Sequence, residues 1–185
     1  MPLSLRRFVS SLVLAGLAGT LSLTVMSCAQ AQNTATQLEQ SWADSLTDVP
    51  VAKPVVGGTF YVPAYSSVSM SQGKVRADFG VTLSVHNTSE SDPLVIKRIG
   101  YFDTSGRLVE SYLPRPIAMK PFATIEVYVP VNDVRAGTGA NFIIDWVAST
   151  PITEPVAETL MIGSLGAGHY SFISQGRALK VIGQK

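Results

Sequence analysis

Between Lys74 and His86, apolar residues (Val75, Ala77, Phe79, Val81, Leu83, Val85) alternate with polar ones (Arg76, Asp78, Thr82, Ser84, His86). A period of two predicts a β-strand with one buried face. The same pattern recurs from Thr124 to Val129. It recurs again where Phe142, Ile144 and Trp146 oppose Ile143, Asp145 and Val147. Leu94 to Phe102 and Arg107 to Leu113 flank Asp103-Thr104-Ser105-Gly106. Here Asp caps the turn and Gly supplies a positive φ, which predicts a hairpin. Shorter runs follow the same texture: Gly58 to Val62, Val156 to Ile162, Tyr170 to Ile173 and Ala178 to Ile182, with glycine turns at Gly163 to Gly168 and at Gly176. Asn87 to Pro93 is a polar connection of turn-forming residues. Pro114, Pro116 and Pro121 break the alternation, so that stretch is expected to cross between sheets or lie at an edge.

Closely spaced short strands with no long helix predict an all-β domain over residues 56–185. The expected architecture is an antiparallel, immunoglobulin-like β-sandwich of about seven to eight strands, with a closed barrel as the alternative.

The first 55 residues read differently. Arg6 and Arg7 precede an apolar stretch from Phe8 to Met26, and Val25-Met26-Ser27-Cys28 then reads as a lipobox. Residues 1–27 are therefore expected to be a lipoprotein signal peptide, with Cys28 as the site of lipid attachment. Alternatives are cleavage after Ala29-Gln30-Ala31, which would release a soluble periplasmic protein, or an uncleaved apolar anchor. Arg6-Arg7 also invites a twin-arginine reading, which Leu5 and Ser10 fit poorly. Residues 28–55 are rich in Gln, Asn, Thr, Ala and Ser, as expected of a flexible tether. Within them, Leu38, Trp42 and Leu46 recur at helical spacing. A short helix there would pack on its own domain or dock a partner.

Composition narrows the class. The 185-residue chain has one cysteine, so no internal disulfide is possible, and lipidation gives that thiol a role needing no partner. Removing Arg6 and Arg7 from the 14 basic residues leaves 12 against 13 acidic ones, a net charge of −1. Such balance offers no electrostatic footprint for nucleic acid. The expected contacts are the membrane, through the lipid at Cys28, and an envelope protein.

Several blocks resemble bacterial domain-of-unknown-function family 3124. They are Tyr61 to Ser67, Leu83 to Thr88, Tyr101-Phe102-Asp103 with Gly106, and Gly139 to Phe142 with Trp146. Glu158 with Met161-Ile162-Gly163, and Ser171 to Ser174 with Gly176, extend the likeness over nearly all of the predicted domain. His86, where a basic Arg is expected, and Thr138, in place of a smaller residue, depart from it. The resemblance implies an envelope domain behind a signal sequence, with no assigned activity and no catalytic residues to carry over.

Candidate chemistry is sparse. Gly137 to Asn141 is glycine-rich, but a strand follows it where a phosphate cradle needs a helix N-terminus. The two histidines, His86 and His169, lack metal-ligand spacing, and Met70, Met119 and Met161 read as core residues rather than copper ligands. Ser66, Ser171 and Ser174 have no nucleophile-elbow context, and Pro155 separates Glu154 from Glu158. No catalytic residue, metal or cofactor is expected. The end loops carry the binding candidates Asn87, Asp103 and Asn141, joined by Asp145, Glu158 and His169. The expected function is a non-catalytic accessory or binding module. A small-ligand or metal carrier built on His86, His169, Glu158 and Asp145 is the alternative, and an undetected hydrolase comes third.

Overall fold

The structure is a computed structural model, and it describes residues 37–183. The signal peptide, the lipobox with Cys28 and the start of the tether lie outside the described residues.

After a helical turn at 37–41 and a 3-10 turn at Ala43–Ser45, twelve strands follow among the described residues. They are β1 (Leu46–Thr47), β2 (Val56–Pro63), β3 (Ser67–Met70), β4 (Val75–His86), β5 (Leu94–Phe102) and β6 (Leu108–Ser111). The rest are β7 (Ile117–Met119), β8 (Thr124–Val129), β9 (Asn141–Ala148), β10 (Val156–Leu165), β11 (Gly168–Gln175) and β12 (Arg177–Ile182). All pair antiparallel in two sheets. Sheet 1 runs β1-β7-β5-β9-β2-β12, with β6 also on β5; sheet 2 runs β11-β10-β4-β3, with β8 also on β4. The expected sandwich is thus what the chain adopts.

Period-two alternation builds the core. Phe79, Val81, Leu83 and Val85 of β4 face inward with Ile125, Val127 and Val129 of β8 and Met161 of β10. Against them sheet 1 sets Phe60, Val62, Ile96, Ile99, Tyr101, Phe142, Ile144 and Trp146. Phe60 stacks on Trp146, and Tyr101 on Phe142 with ring centroids 4.8 Å apart. Met119 and Met161 are wholly buried members of this core.

The strand count exceeds the expected seven to eight because β1, β3 and β7 are two to four residues long. Such runs are too short to display a period. β7 lies within the proline-interrupted stretch, pairing Ile117, Ala118 and Met119 with Ile96, Val95 and Leu94.

Part of the span expected as tether, 28–55, is folded. Trp42 is only 3% exposed within the core, and Leu38 and Leu46 pack against it. Its indole Nε1 donates to the Glu126 carbonyl of β8 at 2.9 Å. Four residues later, Leu46 and Thr47 pair with Met119 and Ala118 of β7. The segment therefore bridges the edge of sheet 1 to the edge of sheet 2. The helical spacing of Leu38, Trp42 and Leu46 is used on the chain's own domain.

On the opposite flank the sheets are joined by the chain itself. β11 ends sheet 2, Gly176 turns, and β12 ends sheet 1. Gly176 N donates to the Ala157 carbonyl at 2.7 Å, and a Cβ built on Gly176 would meet that same oxygen at 2.7 Å. Only glycine fits this corner without a shift. Beside it, the buried Thr159 hydroxyl crosses the sandwich to donate to the Pro63 carbonyl at 2.6 Å.

Candidate functional site

The residues singled out from sequence fall at four places. Asn87 closes one end, 2% exposed, its Nδ2 donating to the carbonyls of Asp92 (2.9 Å), Lys120 (3.0 Å) and Met119 (3.3 Å). Its Oδ1 accepts from Ser89 N. Asp103 and Asn141 sit at the other end. Asp103 accepts from Ser105 N and Oγ and from Arg107 N, and pairs with the Arg107 guanidinium at 2.8 Å. The Ser105 hydroxyl and the Arg107 amide hold its carboxyl well below the usual carboxylate range. Asn141 Nδ2 donates to the Gly139 carbonyl at 3.3 Å.

Asp145 lies on the outer face of sheet 1. It forms an ion pair with Arg98 at 2.8 Å and accepts from Thr59 Oγ1 at 2.7 Å. Glu158 lies on the outer face of sheet 2 and His169 near the tip of the β10–β11 hairpin. His86 pairs with Val156 and His169 with Ser164, eight residues apart along β10. At strand rise the histidines are about 26 Å apart, too far to share an ion. Among the described residues no three His, Cys, Asp or Glu side chains are grouped to hold a metal. His86 Nδ1 instead meets Thr124 Oγ1 at 2.8 Å in an exposed position.

The two loops expected near Asp103 and Asn141 do come together. Thr104 N and Oγ1 both donate to the Ala136 carbonyl, and Thr104 Oγ1 accepts from Gly139 N at 2.9 Å. Ser66 and Arg76 tie the same loop through the Gly137 carbonyl and Thr138 Oγ1. Asp133 pairs with Arg135 at 2.7 Å, and the Arg135 hydrogen bond and charge lower its carboxyl. Beneath lie Tyr101 and Tyr112, whose phenols burial pushes up. The Ser66 hydroxyl donates to the Gly137 carbonyl at 3.2 Å. These polar groups are spent on one another, so the cluster works as a lid on the core.

Surface that the fold leaves unused lies elsewhere. The outer face of sheet 2 carries a row of side chains in register: Tyr128 on β8, Thr82 on β4, Leu160 on β10 and Ile173 on β11. Ile162 stands in the next row, opposite Gly80 and Ser171. Ile162 is 57% exposed and Ile173 60%. Gly80 lets the Tyr128 ring lie across the sheet: a Cβ there would meet the phenol oxygen at 2.9 Å. Beyond the Gly176 corner, β12 of sheet 1 carries exposed apolar residues of its own. All six residues of that strand are exposed, including Leu179 at 61%, Val181 and Ile182. Alternation along 156–162 pointed to a strand with a buried face. It carried no information that the other face would also be apolar, nor that β12 would lie bare at an edge.

No curated protein matches the chain. Among solved structures, the crystal structure of Thermotoga maritima 1070 is similar over 65% of this chain and 92% of that one. The two share 11% identity, at a TM-score of 0.39. The family described as "Protein of unknown function (DUF3124)" matches residues 57–179, from β2 into β12. That span covers most of both sheets, and the chain belongs to this family.

Proposed function

We propose that the chain is a non-catalytic lipoprotein of the bacterial cell envelope, tethered at Cys28, whose domain faces the periplasm or cell exterior. Its sandwich binds another envelope protein through the β10–β12 flank. The observation that carries this reading is the exposed apolar group Leu160, Ile162 and Ile173 on β10 and β11, together with the exposed apolar residues of β12. Monomeric proteins rarely leave contiguous apolar surface of this kind without a use. Placement supports it as well. The chain enters the described domain on the flank sealed by Trp42, so the leash and the apolar flank lie on opposite sides. Eight residues lie between Cys28 and Gln37, a reach of about 30 Å at most. A domain on so short a leash presents its far flank to whatever faces the membrane.

Photocrosslinkers at Ile162 and Ile173, introduced in cells of the source bacterium, test the binding half. One protein captured at both positions, but not from Asp103 or Ser91, is the expected result. Equal capture from all four positions, or from none, sinks it. The mass of the membrane-extracted chain tests the anchor. A chain beginning at acylated Cys28 is expected, and one beginning at unmodified Gln32 would make the protein a soluble periplasmic binder.

A further inference from the structure

β12 is the least protected strand in the molecule. Among the described residues it pairs only with β2, through Arg177–Tyr61 to Ile182–Gly57, and no described strand lies on its other edge. Neither face is buried, although Ala178, Leu179, Val181 and Ile182 are apolar. An edge strand presents a row of unsatisfied N–H and C=O groups that another chain can pair with, and folds usually blunt such an edge with proline, cover, extreme shortness, a bulge or charged side chains. Among the described residues proline, cover and extreme shortness are absent here, and the edge is blunted only by a bulge at Leu179 and two cations, Arg177 and Lys180. Neither cation contacts a carboxylate among the described residues, whereas Arg98, Arg107, Arg115 and Arg135 all do.

Resting on the reading that this flank binds a protein, we infer that the partner adds an extended strand to the free edge of β12, one that alternates apolar with acidic residues. The backbone edge supplies the hydrogen bonds, Leu179 and Val181 supply apolar contact, and Arg177 and Lys180 select negative charge. Other occupants fit worse. A second copy would bring a second Arg177 and Lys180 to the same edge. Residues 28–36 contain no acidic side chain and lead into the opposite flank.

The test uses the full mature chain and an eight-residue probe peptide alternating glutamate and valine. Comparison peptides carry lysine for glutamate, or N-methyl groups on alternate amides. The glutamate peptide is expected to bind. Binding should weaken roughly tenfold in the double variant Arg177→Glu, Lys180→Glu, where two favourable charge contacts become unfavourable. N-methylation should abolish it, because it removes the amide donors that a sheet edge requires. Equal binding of the lysine peptide, or of the N-methylated one, overturns the inference. So does a concentration-dependent dimer that excludes the peptide, which would assign the edge to a second copy. Capture at Ile162 and Ile173 is read separately. If it persists while the peptide fails, the flank binds by its face and the strand-addition mode is wrong. If both fail, the binding function itself is lost.

Discussion

The two flanks of the sandwich are closed by different means, and each leaves a different surface. On one side the N-terminal segment is laid across the gap: Trp42 reaches β8, Leu46 and Thr47 extend the sheet beyond β7, and Lys120 N donates to the Ser45 carbonyl. On the other side the chain passes directly from β11 to β12 at Gly176, and no described residue covers the result. A core needs both gaps shut, but only the first closure also buries the apolar side chains that accomplish it. The contrast separates residues the fold consumes from residues it merely carries, and substitutions on each side should differ accordingly.

Trp42→Ala should have the largest effect. It empties a buried indole site and breaks the hydrogen bond that ties the segment to β8, so a loss of about 3–5 kcal/mol is expected in urea denaturation. A loss under about 1 kcal/mol would mean that the segment lies on the sandwich without sealing it. Asn87→Ala acts on the same flank through the β7–β8 connection. The carbonyls of Asp92, Met119 and Lys120 lose their shared donor, and about 2 kcal/mol should be lost. Partner capture at Ile162 should survive in the folded fraction; its disappearance would return Asn87 to a binding role. Gly176→Ala probes the other closure. Its new Cβ would press on the Ala157 carbonyl, a clash worth about 1–2 kcal/mol. Amide exchange should quicken in β12 more than in β4. Uniform quickening would show that the corner is part of the global unit rather than a local hinge.

How far the sequence shows this contrast depends on the kind of signal each residue emits. β4 and β5 are legible because their period is long enough to count, and the Asp103–Gly106 turn because its residues have backbone reasons to be there. The convergence of that turn with the Gly137 to Asn141 loop was not legible. It depends on Thr104 meeting Ala136 and Gly139 from more than thirty positions away. Trp42 announced a helical face without saying what the face would cover. The flank is hidden for a deeper reason: Leu160, Ile162, Leu179 and Val181 are as apolar as core residues. Only the pairing order reveals that β12 has one neighbour and that Leu160 and Ile162 point away from β2.

The smallest expected change in stability is therefore the most informative. Ile162→Ser with Leu179→Ser removes two large apolar side chains that contact water rather than core. Exposed substitutions of this kind usually move stability by no more than about 0.5 kcal/mol each, and β12 gains a residue less prone to edge pairing. If the flank is merely carried by the fold, urea midpoint and partner capture should both stay where they are. If it is a binding surface, the midpoint should hold while capture collapses, a separation no core residue of this sandwich can produce. A large loss of stability would place these side chains with Trp42 after all. It would mean that the bare flank contributes to holding the two sheets together, and the distinction between the two closures would fail.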